Sequence, residues 1–337
     1  MPSDALAVVV VAHDSAPHLP ALIEAVHAQL STGDEFVIVD NASTDGSAEL
    51  ATRAGVRTIA QRENHGFGAA CHAGATATTS PLLLFLNPDS VPQSGCLQAL
   101  RDAAATQPDW GAWQAAVLQA DGTINTDGGV VHYSGIGWAG DCGKPISAMP
   151  PEPLDVAFPS GAALVVRRPV WDEIGGLDPS YFLYSEDLDL GLRVWLAGHR
   201  AGIAPAARVI HDYEFDKGEQ KWFWLERNRW RTVLAVYPLA LLVLLAPALL
   251  AIELAIHATA ARSGWLRAKL RADVAVLGGL PAIIGRRRSV QATRRITARE
   301  FASHLTASLD SPYLPVHDSH PAARAQAAYW AAVRRVL

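Results

Sequence analysis

The sequence predicts an α/β fold with a mainly parallel sheet and helices on its faces. Over the first 120 residues, apolar runs of strand length alternate with helical segments, which favours right-handed crossovers. The chain has 337 residues, 50% of them apolar and 18% charged, which excludes a disordered or collagen-like protein. Its three cysteines form no C-x-x-C pair, so we expect a reducing cytosolic environment and neither a zinc ribbon nor a disulfide framework.

The elements of this fold can be assigned in order. The Val-rich run at residues 6–12 is typical of a strand buried on both faces, and residues 17–30 carry apolar side chains at helical spacing. Asp45 or Ser47 is expected to cap a helix that ends at Ala54. The remaining predicted elements are strands at residues 36–39, 56–60 and 81–86 and a helix at residues 66–78.

Polar residues follow each of the four predicted strands. These groups are His13-Asp14-Ser15, residues 40–43, residues 62–64 and Asn87-Pro88-Asp89. One such acid alone commonly makes a turn or a cap. Four groups at strand ends indicate a binding site, because ligands of parallel sheets bind beyond the carboxyl ends of the strands. Neither a G-x-G-x-x-G after the first strand nor a Walker lysine is present, so we expect a metal held by carboxylates to neutralise any phosphates.

A basic and apolar segment lies in the last third of the chain. Residues 221–300 contain fourteen Lys and Arg against four acids, a net charge of +10; since the whole chain carries −5, the remainder carries −15. Within this segment residues 232–252 are uncharged, long enough as a helix to reach about 30 Å. Pro238, Pro247 and Glu253 favour a kinked, re-entrant or surface-lying element held to anionic lipid by arginines. A buried helical hairpin or an oligomer interface is the alternative.

Four strings in the first half of the chain resemble the nucleotide-sugar-binding half of family 2 glycosyltransferases of GT-A fold: VVVVAHDS, FVIVDNASTDGS, ENHGFGAACHAG and LLLFLNPDS. Three later strings resemble the acceptor half of that family: FPSGAALVVRR, GGLDPSYFLYSEDLDLGLRVWLAGHR and ARVIHDYEF. The pattern is most similar to the rhamnosyltransferase-like branch. The resemblance implies a nucleotide-sugar-binding half at residues 1–120, an acceptor and catalytic half at residues 121–236, and a helical, membrane-associated region at residues 237–337.

The resemblance also implies a set of donor-binding residues. Asp40 matches the carboxylate that reads the nucleotide base. Asn87 and Asp89 occupy the place of the Asp-x-Asp metal motif, of which only the last position is an acid here, so Asp89 is the expected ligand of Mg²⁺ or Mn²⁺. His211 matches a histidine that completes the metal site in relatives. The other expected nucleotide contacts are His13, Asp14, Asn41, Asn64 and Gly66; for Asn64 a helix N-cap is an equal alternative.

The catalytic base is expected at the start of a helix. Glu186 and Asp187 stand in the first turn of this helix, where its dipole favours ionised carboxylates. Transfer with inversion needs a carboxylate within about 3 Å of the acceptor hydroxyl to take its proton. The resemblance implies Asp187 for this role, with Glu186 orienting it or contacting acceptor hydroxyls. Ser160 and Gly161 are expected beneath the sugar.

A segment rich in Gly and Pro at residues 121–153 is predicted to form a flap over the donor or acceptor. Trp138 is its candidate for stacking on a sugar ring, with anchoring of the loop as the alternative.

These features predict a metal-dependent inverting glycosyltransferase at the cytoplasmic face of the cell membrane, moving rhamnose from dTDP-rhamnose to a lipid-linked or cell-wall glycan. A UDP-sugar such as UDP-galactofuranose or UDP-glucose is the alternative donor. A non-catalytic sugar-nucleotide-binding scaffold subunit of a polysaccharide assembly complex, or a nucleotidyltransferase, is the alternative function. We expect no nucleic-acid partner, and a homo-oligomer stays open.

Overall fold

A computed structural model of the chain describes residues 4–211, 218–309 and 321–337. Contacts between residues divide it into two units. Within the described residues, the first unit contains residues 4–129, 139–194 and 199–211, and the second contains residues 130–138, 195–198, 218–309 and 321–337. The predicted region at residues 1–120 thus falls in the first unit, as does most of residues 121–236. The boundaries at residues 120 and 236 stay predictions.

The first unit is built on a ten-stranded mixed sheet. The strands, numbered along the chain, are β1 (Leu6–Ala12), β2 (Glu35–Asp40), β3 (Arg57–Ala60), β4 (Leu82–Leu86), β5 (Ser90–Pro92), β6 (Trp110–Leu118), β7 (Ile124–Thr126), β8 (Gly129–Val131), β9 (Gly137–Ala139), β10 (Leu154–Asp155), β11 (Ala163–Arg167) and β12 (Arg200–His211). The strand order is β10-β12-β6-β11-β4-β1-β2-β3, with β5 beside β12 and β7 beside β6; β8 and β9 pair separately.

Helices cover the sheet and form most of the second unit. They are α1 (Leu19–His27), α2 (Ser47–Arg53), α3 (Phe67–Thr76), α4 (Cys96–Thr106), α5 (Arg168–Ile174), α6 (Glu186–Leu196), α7 (Glu219–Val236), α8 (Leu239–Arg262), α9 (Leu266–Gly278), α10 (Leu280–Ala292), α11 (Ala298–Ala302) and α12 (Pro321–Val336).

The parallel core predicted from the first 120 residues is confirmed. Strand β1 pairs in parallel with β2 and β4, and β2 pairs in parallel with β3. All seven residues of β1 are buried, as expected of a strand with helices on both faces. Strand β11 runs antiparallel between β4 and β6, which makes the sheet mixed. The four polar groups therefore follow the carboxyl ends of neighbouring strands.

Two helix caps expected from the sequence lie elsewhere. Gly46, with φ of +89°, is the N-cap residue of α2, and Asp45 instead accepts hydrogen bonds from Ser47 N at 3.0 Å and Ser47 Oγ at 2.6 Å. Gly66 is the N-cap residue of α3, so Asn64 does not cap that helix. The predicted flap at residues 121–153 contains the short strands β7, β8 and β9, and its role over the donor or acceptor stays a prediction.

The apolar run of the second unit is divided between two helices. Helix α7 ends at Val236 and α8 begins at Leu239, because Pro238 lacks the N–H that would continue the helix. Helix α8 has 24 residues and a mean hydropathy of 2.6, so it is long and apolar enough to cross a membrane by length and composition. Only 17% of its most apolar window is buried.

Charged side chains join α7, α8 and α9 inside the second unit. Arg229 pairs with Glu226 at 2.7 Å and with Glu253 at 2.6 Å. Lys269, which is fully buried, pairs with Glu226 at 3.1 Å, with Asp273 at 2.6 Å and with Glu253. We call these five residues the buried ionic network. Because Glu253 lies on α8, the network holds this helix against α7 and α9.

Candidate active site

Hydrogen bonds tie together the loops that follow β1, β2 and β3. The Nδ1 atom of His13 lies 3.0 Å from the backbone oxygen of Asn41. Asn41 Nδ2 donates to Asn64 Oδ1 at 2.9 Å, and the same oxygen accepts a hydrogen bond from Gly66 N at 2.9 Å. The structure therefore brings these four predicted donor-binding residues together at one edge of the sheet.

Asp40 is the last residue of β2 and is only 3% exposed. Its Oδ2 atom accepts from Ser43 N at 3.3 Å, whereas Oδ1 has no hydrogen-bond partner among residues 4–211, 218–309 and 321–337. A buried carboxylate oxygen without a donor is costly, so this atom is available to an N–H group of a ligand. Asp14, the neighbouring acid, is exposed and accepts from Thr44 N at 2.7 Å.

Asp89 and His211, the two predicted metal ligands, are adjacent. The antiparallel register of β12 and β5 sets His211 opposite Ser90, and His211 Nε2 lies 3.1 Å from Asp89 Oδ1. Burial raises the pKa of Asp89, but its hydrogen bond to His211 and the charge of that histidine outweigh burial, so the pKa lies below its ordinary value. The Asp89 carboxylate is therefore ionised at neutral pH.

The donor atoms of this pair fit a divalent cation. Two ligand atoms bound at right angles about 2.1 Å from an octahedral ion lie about 3 Å apart, and Mg²⁺ and Mn²⁺ complete their coordination with water and substrate phosphates. Asp89 Oδ1 and His211 Nε2 are 3.1 Å apart, so both donor atoms are close enough to contact one ion. The backbone N of Asn87 donates a hydrogen bond to Ala162 O at 3.2 Å. Since residue 87 is an asparagine, Asp89 is the acid of this turn.

Residues 160–162 contact both the Asn87 turn and the start of α6. Ser160 N donates to Gln114 Oε1 at 2.7 Å, and Gly161 N donates to Asp187 Oδ2 at 2.9 Å. A Cβ atom at Gly161 would lie 3.7 Å from the Asp187 side chain, an ordinary contact. The packing of the protein alone therefore does not require this glycine, and its N–H fixes the carboxylate.

Helix α6 begins with two carboxylates in different surroundings. Glu186 is 8% exposed, and burial together with the charge of Asp187 raises its pKa to about 8. Asp187 is partly exposed, and burial raises its pKa although the N–H groups of Gly161 and Leu188 oppose this. A raised pKa makes a carboxylate a better proton acceptor. Asp187 thus combines access to solvent with a fixed orientation and increased basicity.

The third acid of this helix has a structural role. Asp189 is fully buried, pairs with Arg193 at 2.7 Å and accepts a hydrogen bond from Tyr181 Oη at 2.9 Å. Three leucines of the same helix, Leu188, Leu192 and Leu196, are buried.

The sequence prediction missed two features of the site. Gln114 is fully buried in β6, and the only signal was a polar residue inside an otherwise apolar strand. Phe182, Tyr184 and Ser185, directly before α6, have φ values of +66°, +68° and +64°. Such left-handed conformations are strained for residues other than glycine and concentrate at functional sites. Because none of the three is glycine, the sequence carried no signal for them.

Trp138 lies on β9, is half-buried and belongs to the second unit. Its predicted role in sugar stacking stays a prediction.

Sequence models of two related families match the chain. The family described as "Glycosyl transferase family 2" matches residues 7–127, and "Glycosyl transferase family group 2" matches residues 82–271, more than half of the chain. N-acetylglucosaminyl-diphospho-decaprenol L-rhamnosyltransferase of Mycobacterium tuberculosis is 29% identical over 234 residues, 62% of this chain and 76% of the relative. Rhamnosyltransferase WbbL of Escherichia coli K12 is 37% identical over 71 residues, 21% of this chain and 26% of the relative.

Solved structures share the fold. GalNAc-T7, crystallised with UDP, GalNAc and Mn²⁺, aligns with a TM-score of 0.58 at 16% identity, over 70% of this chain and about half (48%) of its own. The mannosyltransferase PcManGT of Pyrobaculum calidifontis, in complex with GDP-Man and Mn²⁺, aligns with a TM-score of 0.51 at 15% identity, over 86% of this chain and 85% of its own. The architecture is therefore that of GT-A glycosyltransferases.

Proposed function

The chain belongs to the family described as "Glycosyl transferase family group 2", and on that premise we propose that it is an inverting enzyme that moves rhamnose from dTDP-rhamnose to a lipid-linked glycan. The named activity of the Mycobacterium tuberculosis relative, which this chain matches over 76% of its length, supports the sugar and the class of acceptor. We place the reaction at the cytoplasmic face of the membrane, in agreement with the apolar helix α8.

The position of Asp187 carries the catalytic part of this proposal. Its Oδ2 atom accepts the Gly161 N–H at 2.9 Å, and its Oδ1 atom accepts the Leu188 N–H at 2.7 Å, so the carboxylate is held in one orientation. Asp187 takes the proton of the acceptor hydroxyl as that oxygen attacks the anomeric carbon, which contributes about 10²- to 10⁴-fold in rate. Glu186, beside it, orients the base or contacts acceptor hydroxyls.

The loops after β1, β2 and β3 hold the nucleotide. The Oδ1 atom of Asp40, which has no partner in the described part of the chain, accepts the imide N–H of a pyrimidine base, the chemistry shared by dTDP and UDP. His13, Asp14 and Asn41 surround the nucleoside, and Asn64 with Gly66 completes this wall. Ser160 and Gly161 lie beneath the sugar.

Asp89 and His211 would hold the divalent cation, Mg²⁺ or Mn²⁺. When bound, the cation supplies positive charge that stabilises the departing nucleoside diphosphate. Asp89 is ionised and His211 fixes its orientation, so these residues are ready to bind before the donor arrives.

A donor screen tests the proposal. We expect dTDP and UDP, but not GDP, to raise the unfolding temperature of the full chain, more so with Mn²⁺ or Mg²⁺ than with EDTA. We then expect dTDP-rhamnose to be consumed when an N-acetylglucosaminyl-diphospho-polyprenol acceptor is added, and Asp40→Asn to weaken nucleotide binding.

Three results would change the proposal. Faster transfer from UDP-galactofuranose or UDP-glucose would replace the donor while keeping the chemistry. Nucleotide binding without transfer from any donor would favour a non-catalytic scaffold subunit. Nucleotide binding that is as strong with EDTA as with Mn²⁺ or Mg²⁺ would show that the divalent cation is not part of the function.

A further inference from the structure

A groove in the second unit combines cationic and apolar side chains. Its volume is about 570 Å³, and it lies between the start of α8 and one face of α10. The lining residues are Leu239, Ile284, Arg287, Arg288, Gln291 and Arg294. We call it the arginine groove. None of these residues takes part in the proposed transfer reaction.

Hydrogen bonds from α10 to the end of α7 build one wall of the arginine groove. Arg287 donates to Leu234 O and to Tyr237 O, both at 2.7 Å. Gln291 Nε2 donates to Val236 O at 2.8 Å. These carbonyl groups lie at the end of a helix, where intrahelical partners are missing, so the contacts fix α10 in place. The groove is thus a built feature of the unit.

Within residues 4–211, 218–309 and 321–337, the positive charge of the arginine groove has no counter-charge. Arg288 and Arg294 are exposed, and among the residues whose placement is described none of the three arginines forms an ion pair. Burial, and the nearby charge of Arg294, lower the pKa of Arg287. Three guanidinium groups around one cavity repel one another, so an anion bound there would be stabilised.

The apolar rim of the arginine groove continues along α8. Leu239 is 64% exposed and Ile284 is 49% exposed. Val243, Leu250 and Leu254 follow Leu239 at spacings of 4, 7 and 4 residues, so the four lie on one face of α8, and each is more than 60% exposed. Glu253 of the same helix is engaged in the buried ionic network, so this acid does not interrupt the apolar face.

Exposed leucines beside unpaired arginines favour a lipid over a polar macromolecule. A nucleic acid or an acidic peptide would satisfy the arginines but leave the apolar face of α8 in water. An anionic lipid satisfies both, because its phosphate binds guanidinium groups and its hydrocarbon chains cover leucine side chains.

We propose that the arginine groove binds the phosphate headgroup of an anionic glycerophospholipid, with the exposed face of α8 lying in the same leaflet. This inference rests on the membrane location in the proposed function and names the lipid that the site takes. Arg288 and Arg294 bind the phosphate, and Arg287 adds charge from the wall of the groove.

Vesicle binding of the full chain tests this site. Phosphatidylcholine vesicles with and without phosphatidylglycerol are the probes, and the test variant is Arg288→Gln/Arg294→Gln. The matched control is Arg262→Gln/Arg267→Gln, which removes two exposed arginines of the same unit outside the groove. We expect the test variant to lose about 30-fold in affinity for the phosphatidylglycerol vesicles and the control to lose at most about threefold. On plain phosphatidylcholine, all three proteins should bind equally.

Equal losses in the test and control variants would overturn the proposal, because the attraction would then be diffuse. A groove that binds a soluble short-chain polyprenyl diphosphate, with no response to phosphatidylglycerol, would overturn it in favour of an acceptor site. Hydrolysis of the donor, measured on the same proteins without vesicles, separates this outcome from failure of the proposed function. We expect hydrolysis to be unchanged in both double variants.

Discussion

Two equally buried carboxylates, Glu226 in the second unit and Glu186 in the first, differ in whether a cation lies beside them. Glu226 is buried in the ionic network, and the charge of Arg229 outweighs burial, so the pKa of Glu226 is lowered. Glu186 is equally buried at the start of α6, and its pKa is raised to about 8. Within the described parts of the chain no Lys or Arg pairs with Glu186 or Asp187. The counter-ion, not the depth of burial, decides the direction of the shift.

This difference separates a structural group from a reactive one. A buried carboxylate with its cation is stable and chemically quiet, whereas one without a cation costs stability and gains basicity. The protein therefore tolerates an unfavourable pair at α6, where a proton must be taken, and neutralises its acids where helices only have to pack.

Asp187→Asn is expected to have the largest effect, and it tests whether the acids at the start of α6 are reactive. We expect the turnover number to fall by about 10³-fold, because an amide accepts the Gly161 N–H but takes no proton. Steady-state transfer assays measure the loss, and nucleotide titration serves as the control, since donor binding should be unchanged. Turnover near that of the wild type would remove Asp187 from the role of base.

Lys269→Met tests the buried ionic network, in which the acids have cations beside them. This substitution leaves Glu226, Glu253 and Asp273 with reduced counter-charge, and we expect the free energy of unfolding to fall by about 3–5 kcal/mol. Urea denaturation measures the change. The control is Arg267→Gln on the same helix, an exposed position where the change should stay within about 0.5 kcal/mol. Equal stability of both variants would contradict a structural role for the network.

Asp189→Asn tests an acid of α6 that has a cation beside it. We compare its effect on stability with that of the acids in the buried ionic network. The variant loses the charge that pairs with Arg193, while Tyr181 keeps an acceptor, so we expect a loss of about 3 kcal/mol in unfolding free energy. Turnover per folded molecule, from kinetics corrected for the folded fraction, should change far less than in Asp187→Asn. A stable variant with Asp187-like kinetics would make Asp189 part of the chemistry.

Glu186→Gln removes one titrating group and is expected to carry a pH signature. Because the pKa of Glu186 is raised from 4.5 to about 8 in the folded state, that state holds an extra proton between these values and stability falls as the pH rises through them. We expect the variant to lack this decline across the window from pH 4.5 to about pH 8. Thermal unfolding at a series of pH values measures it, and parallel profiles for the two proteins would refute the shifted pKa.

Features that depend on short-range sequence patterns, such as strand ends, could be predicted from the sequence. Asp40 and Asp89 could be placed because strand ends are readable from a run of apolar residues, and parallel strands end at the same edge. The pairing of His211 with Asp89 came from resemblance, since 121 intervening residues leave no local signal. Lys269 could be matched to Asp273 by helical spacing, but its contact with Glu253 depends on how two helices pack.

Backbone conformation was the other limit of prediction. Pro238 divides residues 232–252 between α7 and α8, as expected, whereas Pro247, which was also expected to interrupt this run, lies inside α8. The positive φ values of Phe182, Tyr184 and Ser185 arise from tertiary contacts, and no residue type in that segment announces them.

Gly66 links two distant stretches of the chain. Its φ is +84°, a Cβ atom there would lie 2.5 Å from Phe182 O, and the next residue, Phe67, donates its N–H to that oxygen at 2.9 Å. A larger residue at position 66 would displace the segment that leads into the helix of the base. We therefore expect the stretches around Gly66 and Phe182 to change together when related sequences diverge. Chimaeras that exchange only one of the two stretches should be inactive.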